Sequence, residues 1–410
     1  MKKGKIIIIL LVLIILILGG FGLYKLIHDK QTQNAENETQ NTTTEQGNNS
    51  IEPQSNNKNE TAQSKANQFM GDAGIFSEYY DKAYEDMSKM TTEEKIGQVL
   101  LVRVPETNAT EVVKKNQFGG YILFGRDTKN QTAEQIKAKI KSWNEVSKVP
   151  LIIATDEEGG TVVRVSSNTE LAEKKFPSSQ EVFAAGGYEA IKEDTMKKVD
   201  LLYSLGINVN LAPVADVSTN SEDFIYARSF GKSAKETAEY IKTVVETGKT
   251  TKVSNVLKHF PGYGNNVDTH TGISIDERSL QSFYDNDFLP FISGINEGVE
   301  GIMVSHNIIV NVENSIPASL SKNVHDILRQ KLNFTGIIMT DDIAMSAVKD
   351  YVENPCTQAL KAGNDMIIIS DYESGIAELK KAIEENVLDE EVLDRAVTRV
   401  LAWKYYKGMM

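Results

Sequence analysis

This chain of 410 residues has little cysteine, lacks the common metal-ligand motifs and has no excess of positive charge. Its single cysteine, Cys356, excludes an intrachain disulfide framework and a Cys-rich zinc site. The sequence contains no H-x-x-x-H pair, no P-loop and no dinucleotide fingerprint, so we expect neither a metal nor another cofactor. The formal net charge of −13 argues against nucleic acid as a partner and favours a neutral or mildly charged substrate.

Charge is also missing from one segment near the N-terminus. Ile6 to Tyr24 is a run of 19 residues without a charged side chain, which is long enough to cross a bilayer as a helix. Three lysines precede the run, which predicts a cytoplasmic N-terminus and an external remainder. A cleaved signal peptide is the alternative, but the run is longer than a usual signal core and no A-x-A-like site follows it. We therefore predict a single-pass membrane anchor over residues 1–28.

The next segment has almost no large apolar residues. Residues 29–70 are dominated by Asn, Gln, Thr, Glu and Ser. Such a segment cannot bury enough surface to offset the entropy lost on ordering, so we predict a disordered polar linker. Residues 71–410 are then the folded domain, which we expect to be monomeric and to lie outside the cell membrane.

Short apolar runs alternate with helical patterns in this last region, and their near-continuous apolar character is typical of parallel strands that are covered on both faces. Eight such units over about 335 residues predict an α/β fold, a (β/α)₈ TIM barrel. A doubly wound open sheet is the alternative. The predicted strands are Gln98–Val104, Gly120–Phe124, Leu151–Thr155, Asn208–Pro213, Asn255–His259, Ile302–His306, Gly336–Thr340 and Asp365–Ser370.

Polar side chains follow several of these strands. Because the carboxyl ends of barrel strands meet at the mouth that holds the active site, we expect these side chains to line one polar pocket. They are Asp156, Asp216, Lys258, His259, His306 and Asp341.

A loop rich in Pro and Gly follows the fifth predicted strand and ends in Asp268-Thr269-His270. Alternate residues of an extended chain point the same way, so the Asp268 carboxylate can orient and charge the imidazole of His270. That pair would suit a general acid and base, although a surface hydrogen bond is an equally good interpretation of this motif alone.

The seventh predicted strand delivers Asp341 to the barrel mouth. A carboxylate in this position suits the nucleophile of a glycosidase, which forms a covalent intermediate with the sugar. Since successive strand residues point to opposite faces, we expect only one of Asp341 and Asp342 to enter the pocket, and Asp341 directly ends the strand. A helix or turn cap by both aspartates is the alternative.

The sequence resembles the glycoside hydrolases of family 3, most closely their β-N-acetylhexosaminidase branch. The resemblance implies a single (β/α)₈ barrel and retaining hydrolysis, with Asp341 as nucleophile and Asp268 and His270 as the acid/base dyad. The matching blocks occur in order along nearly the whole folded region. They are Thr92–Gln98, Gly119–Phe124, Asp156–Gly160, Gly206–Asp216, Arg228–Gly231, Lys258–Gly262, Asp268–His270, Pro317–Ser321, Thr340–Asp342 and Ala362–Gly363.

The resemblance also assigns the substrate-binding residues. Asp156, Arg228, Lys258 and His259 match positions that hold the hydroxyls and the N-acetyl group of the sugar. The family commonly has His where this chain has Tyr263, so we expect a change in the packing of the loop or in its contacts to the leaving-group sugar.

The substrate is then expected to be a carbohydrate with terminal β-linked N-acetylhexosamine, from peptidoglycan fragments or chito-oligosaccharides. A family 3 phosphorylase that uses the same residues, a β-glucosidase, and an inactive sugar-binding envelope protein remain as alternatives. A β-glucosidase would lack the Asp-x-His loop, and an inactive protein would have lost Asp341 or His270.

Overall fold

The computed structural model describes residues 66–269 and 272–410. The predicted anchor and most of the predicted linker therefore lie outside the described residues. Residues 66–70, which the sequence predicts as the end of the linker, are helical, and the side chains of Ala66 and Met70 are buried. Residues 66–70 thus belong to the folded domain and not to the linker, because these two apolar side chains pack into the core.

Eight parallel strands form the central sheet, and each overlaps one of the eight predicted strands. We number them one to eight in chain order. The fourth is shorter than predicted, because its regular pairing with both neighbours ends before Pro213, which has no N–H to donate. The strands are Leu100–Arg103, Gly120–Leu123, Ile152–Thr155, Val209–Asn210, Ser254–Phe260, Gly301–Val304, Ile337–Thr340 and Ile367–Ile369.

The strand order distinguishes a barrel from an open sheet. Strands one to seven lie side by side in chain order, and the eighth pairs with the first. A parallel bridge between Met339 and Met366 joins the seventh strand to the segment that enters the eighth. The sheet is thus a nearly closed barrel, in which the carboxyl ends of all eight strands lie at one rim.

Helices surround the sheet, and several begin where side-chain capping predicts. Thr91 followed three residues later by Glu94 is the sequence pattern that predicts a capping box. The structure confirms it, because the Thr91 hydroxyl accepts a hydrogen bond from the N–H of Glu94 and the Glu94 carboxylate accepts one from the N–H of Thr91. The α-helices are Tyr80–Met87, Thr92–Gln98, Ala109–Asn116, Gly125–Thr128, Ala133–Glu145, Ser179–Ser204, Ala234–Gly248, Leu280–Ser282, Phe288–Asn296, Lys322–Asp326, Ser346–Lys349, Pro355–Ala362, Tyr372–Glu384 and Glu390–Tyr406. Short 3₁₀ turns span Ser77–Tyr79 and Ala318–Leu320, and π-type turns span Phe283–Asp287 and Ile327–Lys331.

The helical pattern of the sequence runs from Glu189 to Leu205, whereas the helix Ser179–Ser204 begins ten residues earlier. Ser178 and Glu181 form a capping box at its true start. Gly186 and Gly187 interrupt the helical dihedral angles, and Gly187 has a φ of 63°. The glycine pair divides the segment into two helical pieces, so the helical pattern in the sequence reveals only the second piece.

Within the described ranges, no helix has both the length and the apolar character needed to span a bilayer. The predicted membrane anchor is not among those helices, because residues 1–28 lie outside the description.

A buried ion-pair cluster holds the last helix against the amino ends of the strands. The Arg399 guanidinium donates to the carboxylates of Asp72 at 2.6 Å and Asp365 at 2.8 Å. Asp365 also accepts from Arg329 at 2.7 Å and from the N–H of Ile338, in the seventh strand, at 2.8 Å. This cluster therefore connects the N-terminal segment, the last helix and the barrel at the rim formed by the amino ends of the strands.

We expect Arg399→Met to lower the free energy of unfolding by about 3–5 kcal/mol, because it leaves the buried carboxylate of Asp365 and the partly buried one of Asp72 without one of their cations. Urea unfolding of the purified full-length chain measures this loss. Lys89→Ala is the control, since it also removes one positive charge but from an exposed pair, and it should change the midpoint little. Equal midpoints for Arg399→Met and the wild type would contradict the role given to this cluster.

Candidate active site

A cavity of about 450 Å³ opens at the carboxyl ends of the strands. Five of the predicted site residues line it together, although they are far apart in the sequence. Parallel strand ends converge at this rim, which explains why separate loops deliver these side chains to one place. The five are Asp156, Arg228, Lys258, His259 and Asp341.

Lys258 is the buried cation in this group, and only 2% of its surface is exposed. Its Nζ lies 2.6 Å from Asp156 Oδ1 and 2.6 Å from Glu158 Oε1. Burial alone would lower the pKa of Lys258, but the charges of Asp156 and Glu158 outweigh burial and raise it. The ammonium therefore stays charged and ties the fifth strand to the loop after the third.

Arg228 binds the same carboxylate from the other side. Its Nε donates to Glu158 Oε2 at 3.0 Å, and Nη2 donates to Oε1 at 2.7 Å, a two-point contact. Burial would raise the pKa of Glu158, yet the charges of Lys258 and Arg228 lower it well below its usual range. Glu158 is thus an ionised carboxylate that positions two cations at the cavity wall.

His259 is held by a hydrogen-bond network behind the cavity. Its Nδ1 lies 2.8 Å from Asp216 Oδ2, which also accepts from the N–H of His259 at 3.0 Å. The other oxygen of Asp216 accepts from the N–H of Tyr263 at 2.8 Å. If His259 Nδ1 donates to Asp216, its Nε2, 3.3 Å from Arg228 Nη2, is the acceptor. Asp216 therefore fixes the orientation of the ring.

Asp341 follows the seventh strand directly, as predicted, and lines the cavity. Its Oδ1 accepts from the N–H of Asp342 at 2.8 Å. Asp342 also borders the cavity, which corrects the expectation that only one of the two would do so. The regular strand ends at Thr340, so the alternation of side-chain directions does not extend to these two residues. Asp342 caps the following turn, because its Oδ1 accepts from the N–H of Ala344.

Two residues predicted for the rim lie behind it. Asp216 is 1% exposed and supports His259, as described above. His306 is fully buried, with Nδ1 2.7 Å from Ser319 Oγ and Nε2 3.1 Å from the carbonyl oxygen of Asp342. Neither residue is part of the cavity lining within the described chain. His306 instead supports the backbone next to Asp341.

The predicted acid/base loop is described only in part. Asp268 is half-buried and is not among the described residues that line the cavity, while His270 and Thr271 lie outside the description. Tyr263, where the family commonly has His, is 1% exposed, and its hydroxyl lies 2.5 Å from Thr269 Oγ1. The change at Tyr263 therefore affects the packing of the loop beside Asp268.

Glu158 was not predicted as a site residue, although it lies in the matching block Asp156–Gly160. Residues two apart in an extended segment share a face, and this spacing could have paired Glu158 with Asp156. Arg103, Phe124 and Arg164 also line the cavity without having been predicted. Phe124 ends the matching block Gly119–Phe124, whereas no matching block contains Arg103 or Arg164.

No group of three or more potential metal ligands converges within residues 66–269 and 272–410.

Comparison with known proteins gives consistent matches. The model of the family described as "Glycosyl hydrolase family 3 N terminal domain" matches residues 91–403. "Beta-hexosaminidase LpqI" of Mycobacterium tuberculosis is 28% identical over 328 residues, which cover 77% of this chain and 83% of the relative. "Beta-hexosaminidase A" of Pseudoalteromonas piscicida is 29% identical over 336 residues, which cover 72% of this chain and 54% of the relative.

Among solved structures, a glycoside hydrolase family 3 β-N-acetylglucosaminidase from a Paenibacillus species superposes with a TM-score of 0.72 at 28% identity. The match covers 78% of this chain and 63% of that one. This chain therefore spans less than two thirds of the length of the Pseudoalteromonas and Paenibacillus proteins.

We expect Glu158→Gln to lower the free energy of unfolding by about 3–5 kcal/mol at pH 7, because Arg228 and Lys258 lose a shared buried anion. The folded-state pKa of Glu158 lies below the value of about 4.3 in an unfolded chain. Its contribution is then complete above pH 4.3 and decreases as the pH falls below that value. Urea unfolding between pH 3 and pH 7 measures the free energy of unfolding of the wild type and of Glu158→Gln. The difference between the two values should decrease only below about pH 4.

Glu173→Gln, which removes an exposed carboxylate, is the control, and its free energy of unfolding should stay close to that of the wild type at every pH. If the difference in free energy of unfolding between the wild type and Glu158→Gln stays constant down to pH 3, Glu158 is not the ionised buried carboxylate described above.

Proposed function

The chain belongs to the glycosyl hydrolase family 3 and is a glycoside hydrolase, and we propose that it removes terminal β-linked N-acetylhexosamine with retention at the anomeric carbon. One observation carries this proposal: the carboxylate of Asp341 shares a single cavity with Asp156, Arg228, Lys258 and His259. That set combines a nucleophile with donors and acceptors suited to a sugar. The names of the β-hexosaminidase relatives support the choice of N-acetylhexosamine.

Asp341 is the proposed nucleophile. Its carboxylate oxygen attacks the anomeric carbon, the bond to the leaving-group oxygen breaks, and a glycosyl ester on Asp341 forms. Water then attacks the same carbon, releases the sugar and restores the carboxylate. Two displacements at one carbon give overall retention.

Asp268 and His270 are the proposed acid/base pair. The imidazolium of His270 donates a proton to the departing oxygen, and the neutral ring then accepts a proton from water. Unlike a glutamic acid, a histidine carries no negative charge after giving up its proton. The acid/base group therefore adds no negative charge of its own beside the oxygen that attacks the intermediate on Asp341.

Asp156, Arg228, Lys258 and His259 are proposed to hold the terminal sugar. Asp156 Oδ1 accepts a hydrogen bond from Lys258 Nζ, and the remaining lone pairs of the carboxylate can accept hydrogen bonds from sugar hydroxyls. Lys258 and Arg228 offer hydrogen-bond donors to the oxygens of the ring substituents and of the acetamide. Their ion pairs with Glu158 hold Lys258 and Arg228 in place before the substrate binds, so that both side chains can position the sugar without first being ordered.

The cellular setting is part of the same proposal. An anchor over residues 1–28, followed by the polar linker, would place a monomeric catalytic domain that includes Ala66 and Met70 outside the cell membrane. Peptidoglycan fragments are then the first candidate substrate, with chito-oligosaccharides as the second. Comparing the products formed from muropeptides and from chitobiose distinguishes the two.

We expect the full-length protein to cleave an aryl β-N-acetylglucosaminide with a higher kcat/KM than the matching aryl β-glucoside. Release of the aryl group measures both rates. Rapid cleavage of the glucoside without cleavage of the N-acetyl compound would refute the assignment to N-acetylhexosamine, while leaving the assignment as a glycosidase intact.

Asp341→Ala should remove turnover on every glycoside, because no covalent intermediate can form. Asp342→Ala is the matched control: it removes a neighbouring carboxylate of the same cavity, and measurable turnover should remain. Circular dichroism should confirm that both variants are folded. The opposite order of activities would assign the nucleophile to Asp342.

His270→Ala should lower kcat/KM by about 10²–10⁴ on a glycoside with a poor leaving group, as expected for a lost general acid. The loss should be smaller on an activated aryl glycoside, whose leaving group needs less protonation. Rates across a series of leaving groups measure the difference. A loss of the same size on every leaving group would contradict the acid role.

A further inference from the structure

Two arginines of the cavity wall have no hydrogen-bond partner for their guanidinium groups in the described chain. Arg103 ends the first strand, and Arg164 follows the short strand Val162–Val163. The Nε atoms of both are buried without a hydrogen bond. Arg103 forms no ion pair within the described residues, and the only charged contact of Arg164 is Asp156 Oδ2, 3.8 Å from Nε.

The terminal nitrogens of both groups remain available. Each Nε is enclosed by protein, but the Nη atoms are not among the buried unbonded atoms, so they are open to solvent or to the cavity. The side chain of Arg164 is 33% exposed. Each arginine therefore offers donors at the cavity that the described protein does not use.

One aromatic ring holds the two groups in place. The guanidinium carbon of Arg103 lies 4.4 Å from the centroid of the Phe124 ring, and that of Arg164 lies 5.6 Å from the same centroid. Stacking on a ring restricts a planar guanidinium, so a ligand would lose less entropy in binding to it. Two like charges are thus held around one side chain.

The other cations at this rim differ, because each has a carboxylate within hydrogen-bonding distance. Lys258 and Arg228 bind Glu158, and Arg126 forms an ion pair with Glu106. Burial raises the pKa of Asp342 and the charge of Arg103 opposes that rise, but the oxygens of Asp342 accept from the N–H of Ala344 and the hydroxyl of Ser370 and not from Arg103. Arg164 reaches Asp156 only at 3.8 Å, so neither guanidinium has a hydrogen-bonded anion in the described chain.

We propose that Arg103 and Arg164 form an anion subsite, which binds a carboxylate or phosphate group attached to the terminal N-acetylhexosamine. This inference rests on the proposed function and names its substrate class: glycosides whose terminal sugar carries a negative charge. Guanidinium groups bind both kinds of oxyanion through paired N–H donors.

The position of Asp156 indicates that the anionic group is attached to the terminal sugar and does not belong to a free acceptor. Asp156 contacts both Lys258 and Arg164, and it is proposed to hold the ring hydroxyls. The arginine pair therefore adjoins the group that binds the sugar ring. A substituent on that ring would reach the pair while the ring occupies its binding position.

Three aryl glycosides test the subsite on the full-length protein: the N-acetylglucosaminide, its 6-phosphate, and the N-acetylmuramide, which carries a lactyl carboxylate. We expect at least one anionic glycoside to be preferred over the neutral one in kcat/KM. Arg103→Gln combined with Arg164→Gln should lower kcat/KM for that glycoside by about 10- to 100-fold, the loss expected for charged hydrogen bonds. The loss on the neutral glycoside should be clearly smaller.

Arg103→Lys keeps the charge and should retain part of the preference. Arg126→Gln is the matched control, since it removes an arginine that is paired at the same rim and lies outside the cavity lining. It should leave the preference unchanged. Equal losses on charged and neutral glycosides, or a wild type that prefers the neutral one, would overturn the proposal.

Inorganic phosphate distinguishes the two sources of the anion. If phosphate accelerates cleavage of the neutral glycoside, yields a sugar 1-phosphate, and loses this effect in Arg103→Gln, the anion is a free acceptor and the sugar-borne version is wrong. If phosphate does not accelerate cleavage and the wild type prefers an anionic glycoside in kcat/KM, the result supports the proposal.

Calorimetry separates this inference from the proposed function. N-acetylmuramic acid or N-acetylglucosamine 6-phosphate should bind Asp341→Ala more tightly than N-acetylglucosamine does, and the double arginine variant should remove the difference. If this binding pattern holds while no glycoside is cleaved by the wild type, the subsite stands and the hydrolase proposal fails. If glycosides are cleaved but neither rates nor binding depend on charge, the subsite fails alone.

Discussion

The buried ammonium group of Lys258 is the interaction on which the candidate site depends. It lies 2.6 Å from a carboxylate oxygen of Asp156 and 2.6 Å from one of Glu158, so it joins the fifth strand to the loop after the third. A buried cation is stable only when its desolvation is offset by close anions. Glu158 meets this condition by also binding Arg228, which brings a third loop into the same cluster. The geometry of the cavity wall thus follows from one buried charge and its partners.

A second network fixes the same carboxyl end of the fifth strand. Asp216 accepts hydrogen bonds from the His259 ring, the His259 backbone and the Tyr263 backbone, and Tyr263 in turn contacts Thr269. The loop that carries Asp268 is therefore connected to the cavity wall through buried polar groups. Burial and the charge of Asp341 raise the pKa of Tyr263, so its hydroxyl remains protonated at physiological pH.

The sequence predicted the barrel well, because buried parallel strands are nearly all apolar and are easy to recognise. It predicted five cavity residues from their place after strands and from family resemblance. It did not predict Arg103 or Phe124, because the arginine lies in an apolar run and the aromatic ring is indistinguishable from a core residue until the fold is known. It placed His306 on the rim, whereas the imidazole lies beneath the Asp341 segment. A position after a strand does not specify which way a side chain turns.

By itself, the sequence determined the strand order of the catalytic region, the family and the position of Asp341 at a strand end, because local apolar patterns and ordered motifs carry this information. The membrane anchor and the role of His270 remain predictions from the sequence. Only the tertiary structure decided that Glu158 holds Lys258 and Arg228, that Asp342 also borders the cavity, and that the guanidinium groups of two arginines lie near the Phe124 ring without hydrogen-bond partners in the described chain. These facts depend on distances between loops that are far apart in the chain, and burial and charge pairing set those distances only after the barrel has closed.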